Sequence, residues 1–295
     1  MFVIFNPKRN TLFLLAWAFV LGPVGCGQTT ASMSEDAQLS PPDAGMADLG
    51  LSQRPDRAAM MEVLGAVQGR VVDPDGRPLA NLRIACCTLD LCVTGETDSD
   101  GQYLIEGLDE GPRKMLVNDS TEKHMAIVYY QYVPEGETSR LERDVILPLR
   151  THPRVLWDPS VGGTASFVEG QLKLTAPPNT LLYPPSTSTL APGLFVESVL
   201  PINLPPYPQT PWVGREDKTL AFVFNPTGVE SREAIALELT GTANSTTTYE
   251  IWTLKPKYAE LEKVGTTTTS SGATASGMDA NIRKLTMIIL VPTAP

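Results

Sequence analysis

Groups able to do chemistry are scarce in this chain. Its 295 residues hold four cysteines and two histidines, His124 and His152. Cys86, Cys87 and Cys92 lie on either side of a short reversal, Thr88–Leu91. Three thiolates leave a tetrahedral zinc set one ligand short, and no histidine is near in sequence. In an exported chain such a group favours a disulfide. Strand parity places Leu82, Ile84 and Cys86 on one face and Cys87 on the other. Cys92 has the parity of an outward position. The expected bridge is Cys87–Cys92, with Cys86 buried and free; Cys86–Cys92 is the alternative. Asp98-Ser99-Asp100-Gly101 opens like a calcium loop, but that loop needs a bidentate Glu at its twelfth position, where Asp109 stands. It reads as a hairpin turn. Ser120-Thr121-Glu122-Lys123 spells S-x-x-K without the S-D-N and K-T-G elements that such a nucleophile needs. Glu106, Asp109 and Glu110 read as a solvated turn, and both histidines are expected to face solvent. No catalytic, cofactor or metal site is expected, and the protein is read as not an enzyme.

Aromatic side chains are the better candidates for contact with a ligand. Tyr129, Tyr130, Tyr132, Tyr207, Trp212, Trp252 and Tyr258 could stack on sugars or pack on a protein. Tyr130 and Tyr132 share one strand face and Tyr129 takes the other. Pro201–Trp212 is the most suggestive surface, because its prolines pre-order a loop. The candidate binding surface is therefore Tyr130, Tyr132, Tyr207 and Trp212.

The elements that must position these residues are strands. The chain holds 23 glycines and 26 prolines, about 17 % together, against about 12 % on average. Charged residues make up 19 %. Period-two patterns punctuated by Gly and Pro recur from Ala66 onward. The strand candidates are 66–72, 82–86, 103–108, 114–117, 125–133, 145–147, 171–174, 195–200, 220–224, 235–239, 249–254 and 285–291. Asp73-Pro74-Asp75-Gly76-Arg77-Pro78 is a dense turn signal. Ile202–Trp212 holds too many prolines for a central strand, and Ser231–Ala236 is at most one helical turn. Pro148–Pro159 reads as an exposed connection into a new unit. The net charge is −10. With no basic block, nucleic acid is excluded as a partner, since its affinity comes mainly from phosphate neutralisation.

The N-terminus reads as an export signal. Lys8 and Arg9 precede Thr11–Gly22, an apolar stretch shorter than the about 20 residues needed to cross a bilayer. Leu21-Gly22-Pro23-Val24-Gly25-Cys26 follows and resembles the lipobox of bacterial lipoproteins. Pro23 departs from it, since a Leu is usual there. The resemblance implies that Cys26 is acylated and becomes the mature N-terminus, so that the membrane is a partner through a lipid anchor. Gly27 stands where an inner-membrane retention Asp would be, so the outer membrane is expected, facing either the periplasm or the surface. Residues 26–64 carry six acids against two bases and no sustained apolar period. They read as a disordered acidic tether with a reach of roughly 35 Å.

Two further resemblances cover the remainder. Gly69-Arg70-Val71-Val72-Asp73, Gly76-Arg77-Pro78-Leu79-Ala80, Thr97-Asp98-Ser99-Asp100-Gly101-Gln102-Tyr103 and Gly107-Leu108 occur in the order of the carboxypeptidase regulatory-like domain. That domain is a transthyretin-like β-sandwich, and the resemblance implies a non-catalytic folding or binding module over 65–150. Gly170–Leu174, Ala176–Leu181, Phe224-Asn225-Pro226-Thr227-Gly228, Ala236–Leu239, Tyr249–Pro256 and Leu261–Gly265 resemble ZU5-like β-domains over 151–295. The self-cleaving His-Phe-Ser of some such domains has no counterpart after His152. The chain is therefore expected to be all-β: two β-sandwich-like domains behind a signal segment (1–25) and a tether (26–64). The expected function is a non-catalytic, envelope-anchored lipoprotein that displays these domains to an unknown protein or polysaccharide. The alternatives are a structural component of a cell-envelope assembly and an accessory protein of an extracytoplasmic enzyme.

Overall fold

Alternation and turn chemistry build a computed structural model made of strands. It describes residues 63–185, 192–240, 247–255, 259–269 and 275–293, all within one compact unit, Ala58–Pro295. Cys26, the signal segment, the tether up to residue 62 and Tyr258 lie outside the described residues. Eight strands come first: β1 Gly65–Val72, β2 Arg83–Cys87, β3 Cys92–Glu96, β4 Gln102–Leu108, β5 Gly111–Asn118, β6 Ile127–Val133, β7 Thr138–Arg140 and β8 Val145–Ile146. Eleven follow: β9 Val155–Leu156, β10 Gly163–Phe167, β11 Leu172–Ala176, β12 Leu181–Leu182, β13 Gly193–Val199, β14 Leu220–Asn225, β15 Val229–Leu239, β16 Thr247–Leu254, β17 Leu261–Thr269, β18 Ala275–Leu285 and β19 Met287–Pro292. No α-helix occurs among the described residues, and none there is long and apolar enough to cross a membrane.

The first sandwich pairs a sheet ordered β4-β1-β7, with β8 beside β1, against a sheet ordered β3-β2-β5-β6. Two Asx-bonded turns set its early hairpins. Asp73 Oδ1 accepts the amides of Asp75 and Arg77, and Asp98 Oδ1 accepts those of Asp100 and Gln102. Gly101 takes φ +73°, and a Cβ there would strike the Val71 carbonyl. β5 alternates between buried and half-buried residues, with Arg113, Met115 and Val117 inward. Tyr129, Ile84, Val67, Val71 and Ile105 complete this core.

The second sandwich pairs a sheet ordered β17-β16-β19-β14-β13-β9 with a sheet ordered β10-β11-β15-β12, in which β18 also pairs β15. The larger sheet is buried on both faces at its centre. Every residue of β19 is buried, and so are Ala221–Phe224 of β14. Phe222, Phe224, Ile288 and Leu290 join the core of the second sandwich with Leu172, Leu174, Leu237 and Ile282. Ala221, Val223, Met287, Ile289 and Val291 point the other way and join the core that contains the first sandwich. The two sandwiches thus share continuous apolar packing.

Ser231–Ala236 is no helical turn but part of β15, where pairing with β11, β12 and β18 overrides local preference. Pro201–Trp212 is exposed only in part, at Ile202, Pro208 and Gln209. After a 3₁₀ turn at Pro201–Asn203 it buries Leu204, Tyr207 and Trp212 in the core shared with the first sandwich, because the outer face of β14 and β19 needs a cover. The connection 148–159 is only partly exposed, since Pro148 and Trp157 are buried and Val155–Leu156 pairs with β13.

Candidate functional site

The candidate aromatics are sorted by strand parity. In β6, Tyr129 points into the first core and is fully buried, whereas Tyr130 is half-buried and Tyr132 is 43 % exposed. Gln131, on the inward parity, is buried and bonds to its neighbours. Its Nε2 donates to the Ser139 and Gln68 carbonyls at 2.9 and 3.2 Å. Its Oε1 accepts from the Tyr103 hydroxyl at 3.2 Å, so the 2.7 Å contact between Tyr103 and Tyr129 is donated by Tyr129. This network holds β6 against β1 and β7. Burial pushes both phenols of the pair upward, so they stay protonated.

Tyr130, Tyr132 and Tyr207 meet at a cleft of about 430 Å³ between the two sandwiches. Ser139–Arg143 forms one wall and Pro206–Pro208 the other. Tyr132 donates to Glu110 Oε1 at 2.7 Å, and Arg143 reaches across the sandwiches to the Ile202 carbonyl at 3.2 Å. Tyr207 donates to the Val128 carbonyl at 2.8 Å and packs edge-on against Trp212, with ring centroids 6.2 Å apart. Of the four expected surface residues, Tyr130 and Tyr132 line the opening and Tyr207 lies buried in its wall. Trp212 is 3 % exposed and supports Tyr207 from behind, so as a ligand contact it is corrected. Arg140, Arg143, Pro206 and Pro208 complete the lining. Nothing in their sequence spacing marks them, because the end of β7, the stretch after it and the proline-rich segment meet only through the tertiary packing.

Both histidines pair with a buried carboxylate instead of standing free in solvent, and only His152 keeps part of its ring exposed. His124 is 8 % exposed, with Nδ1 at 2.8 Å from Asp119 Oδ2. Asp119 also accepts from Thr121 N–H and Oγ1, and its carboxyl is held down at about 2 by those bonds and the histidine, which outweigh its desolvation. His152 is bonded to Glu197, a buried carboxylate on β13. Glu197 accepts from Thr151 N–H, Thr151 Oγ1, His152 N–H and His152 Nδ1 at 2.6–2.7 Å. Desolvation pushes its carboxyl up, but these bonds prevail and the net shift is downward. The physical reason for the correction is the same at both sites: a buried carboxylate needs donors, and the adjacent loop supplies them. His152 also lines a cleft of about 540 Å³ with Ser166 and Glu169. The Glu197 oxygens are already filled by the chain itself, so the pair fastens the connection between the sandwiches.

Cys87 and Cys92 form a disulfide, and Cys86 is a buried free thiol whose pKa burial raises to about 11. Cys87 is 5 % exposed, more buried than its outward parity suggested. Glu106, Asp109 and Glu110 are exposed. Among the described residues no group of three or more His, Cys, Asp and Glu is placed to hold a metal. The aromatic and proline lining of the cleft suits stacking, apolar contact and hydrogen bonding.

Fold and cleft together define an all-β protein of two fused β-sandwiches with an aromatic cleft where they meet. No family model and no curated protein matches the chain. Among solved structures it is similar to a DUF3823 family protein from Bacteroides ovatus, at 10 % identity. That match covers 74 % of this chain and 80 % of the other, with a TM-score of 0.24. A likeness so distant says nothing about function or site.

Proposed function

We propose that the protein is a non-catalytic, envelope-anchored lipoprotein that presents its fused sandwiches for binding a protein or glycan at the aromatic cleft. The observation that carries this reading is the convergence of Tyr130, Tyr132 and Tyr207 with Pro206 and Pro208 around one opening. Binding sites are concave and mostly apolar, with a few placed polar groups, and Arg140, Glu142 and Arg143 are those groups here. The anchor rests on the lipobox-like run ending at Cys26. Gly27, in place of a retention Asp after that cysteine, is what supports an outer-membrane location.

The anchor and the cleft are tested separately. Intact mass of the protein from membrane fractions is expected to show a diacylglyceryl and a fatty-acyl group on Cys26, both lost in Cys26→Ala. An unmodified N-terminus in the medium overturns the anchor. For the cleft, glycan and peptide arrays are probed with the native protein and with a Tyr130→Ala, Tyr132→Ala double variant. Loss of about tenfold or more in affinity is expected, one or two contacts at roughly 1.4 kcal/mol per decade. Unchanged binding of every ligand overturns the cleft as the binding site.

A further inference from the structure

Backbone polarity at the cleft floor narrows the ligand class further. In the β2–β3 hairpin, Thr88 N–H donates to the Leu91 carbonyl at 2.8 Å. Antiparallel ladders alternate between bonded and non-bonded pairs, so Cys86 and Ile84 turn their backbone groups toward β3. Ala85 and Cys87 then turn theirs toward β5, opposite Leu116 and Lys114. Met115 and Val117 are left to bond β6 at Tyr129 and Ile127. It follows that Val128, Tyr130 and Tyr132 aim their N–H and C=O groups away from β5. Two independent contacts agree. The Tyr207 hydroxyl reaches the Val128 carbonyl from that outer side. Opposite Tyr132 stands Pro112, which has no N–H to give it.

β6 is an edge strand, and among the described residues no strand pairs with its outer side. The neighbouring segment cannot fill that role. Pro205, Pro206 and Pro208 lack amide hydrogens, and this stretch contacts β6 through the Tyr207 side chain. Such an edge is a template for one more strand. Across the cleft, Arg140 and Arg143 are exposed and form no ion pair among the described residues, not even with Glu142 between them.

We propose that the free edge of β6 at Tyr130 and Tyr132 takes an extended, acidic segment of a partner polypeptide as an added strand. This rests on the cleft being the binding site, and it selects a peptide over a glycan. The peptide backbone supplies the donors and acceptors that match the edge. Its side chains of one parity pack on Tyr130 and Tyr132, and a carboxylate meets Arg140 and Arg143.

The probe is a phage-displayed library of short unconstrained peptides, panned against the full chain. Enriched peptides are resynthesised with a single N-methyl group at each position in turn. Methylation at alternate positions is expected to cost about tenfold in affinity, the worth of one interfacial hydrogen bond, while the intervening positions are neutral. Tyr132→Pro removes an edge amide at a position where proline is tolerated. It is expected to lose about tenfold more affinity than Tyr132→Ala. Should Tyr132→Pro fail to fold, the methylation scan alone decides. Equal losses in the two variants with no methylation periodicity overturn strand addition and leave the cleft as a side-chain site. Glycans that bind through Tyr130 and Tyr132, with no peptide enriched, overturn it in the same way. A dimer in sedimentation that Tyr132→Pro makes monomeric overturns the proposed partner, because a second copy then occupies the edge. Peptides that bind but ignore all changes at Tyr130 and Tyr132 overturn both this inference and the cleft reading.

Discussion

β5 and β19 are both antiparallel interior strands, yet their burial differs. β5 alternates, with Met115 and Val117 inward and half-buried residues between them. β19 is buried at every position. The difference lies in what covers the second face. Strand β5 has one core beneath it and a half-covered face above. Strand β19 has the second core on its Ile288 and Leu290 side, and the first sandwich with the Leu204–Trp212 segment on its Ile289 and Val291 side. A continuous apolar run in an antiparallel protein therefore reports a sheet buried twice. Domains that meet through a small polar interface move by default. Here the contact is made of core residues of both sandwiches.

The sharpest way to break that comparison is to shorten side chains on opposite faces of β19. Ile289→Ala is expected to cost about 2–5 kcal/mol of unfolding free energy, as much as Ile288→Ala. Urea unfolding read by tryptophan fluorescence checks this. A cost under about 1 kcal/mol for Ile289→Ala alone would show that the shared face is mere contact. Next comes the carboxylate that fastens the connection. Glu197→Gln is expected to cost about 1.5–3 kcal/mol at neutral pH. The sign with pH is definite: a carboxyl whose folded pKa is depressed stabilises fully above its unfolded value and loses that contribution as pH falls. Glu197 and Asp119 thus both steepen the acid limb, Asp119 from about pH 4 toward about 2. In Glu197→Gln the limb is expected to flatten in a pH series of melts. Replacing Cys87 and Cys92 by Ser should cost only about 2 kcal/mol, because the loop closed is so short. A thermal melt with and without reductant checks that value. The smallest effect is at the cleft wall, where Tyr207→Phe keeps the ring against Trp212 and loses one hydrogen bond, about 1 kcal/mol.

Much of the first sandwich was legible because its turns are chemical. Asp73, Gly76, Asp98 and Gly101 each perform the role their types suggested. The parity that separated Tyr129 from Tyr130 and Tyr132 also follows from sequence alone. What sequence reading missed were partners distant in the chain. Val155–Leu156 is defined by pairing with β13 rather than by any pattern of its own. Thr138–Arg140 is a strand only because β1 bonds it. Buried Tyr207 and Trp212 sit in a proline-rich stretch that reads as surface by composition. A signal was present all the same. Leu220–Phe224 and Leu285–Val291 do not alternate, so something had to cover their outer face. The histidines were misplaced for a similar reason, since Asp119 and Glu197 carry no local mark of burial.

The position of β19 in the chain has a consequence for how the protein is made. Residues 287–292 follow β14 and β16 in chain order, yet their strand occupies the middle of the six-stranded sheet, between those two. Emerging chains fold from the N-terminal side first. The first sandwich has all its strands once residue 146 has emerged. The second has a gap at its centre until β19 is delivered. Until then the apolar faces of β14 and β16 wait for a strand that comes after both of them in the sequence, and the joined core is complete only once β19 is in place.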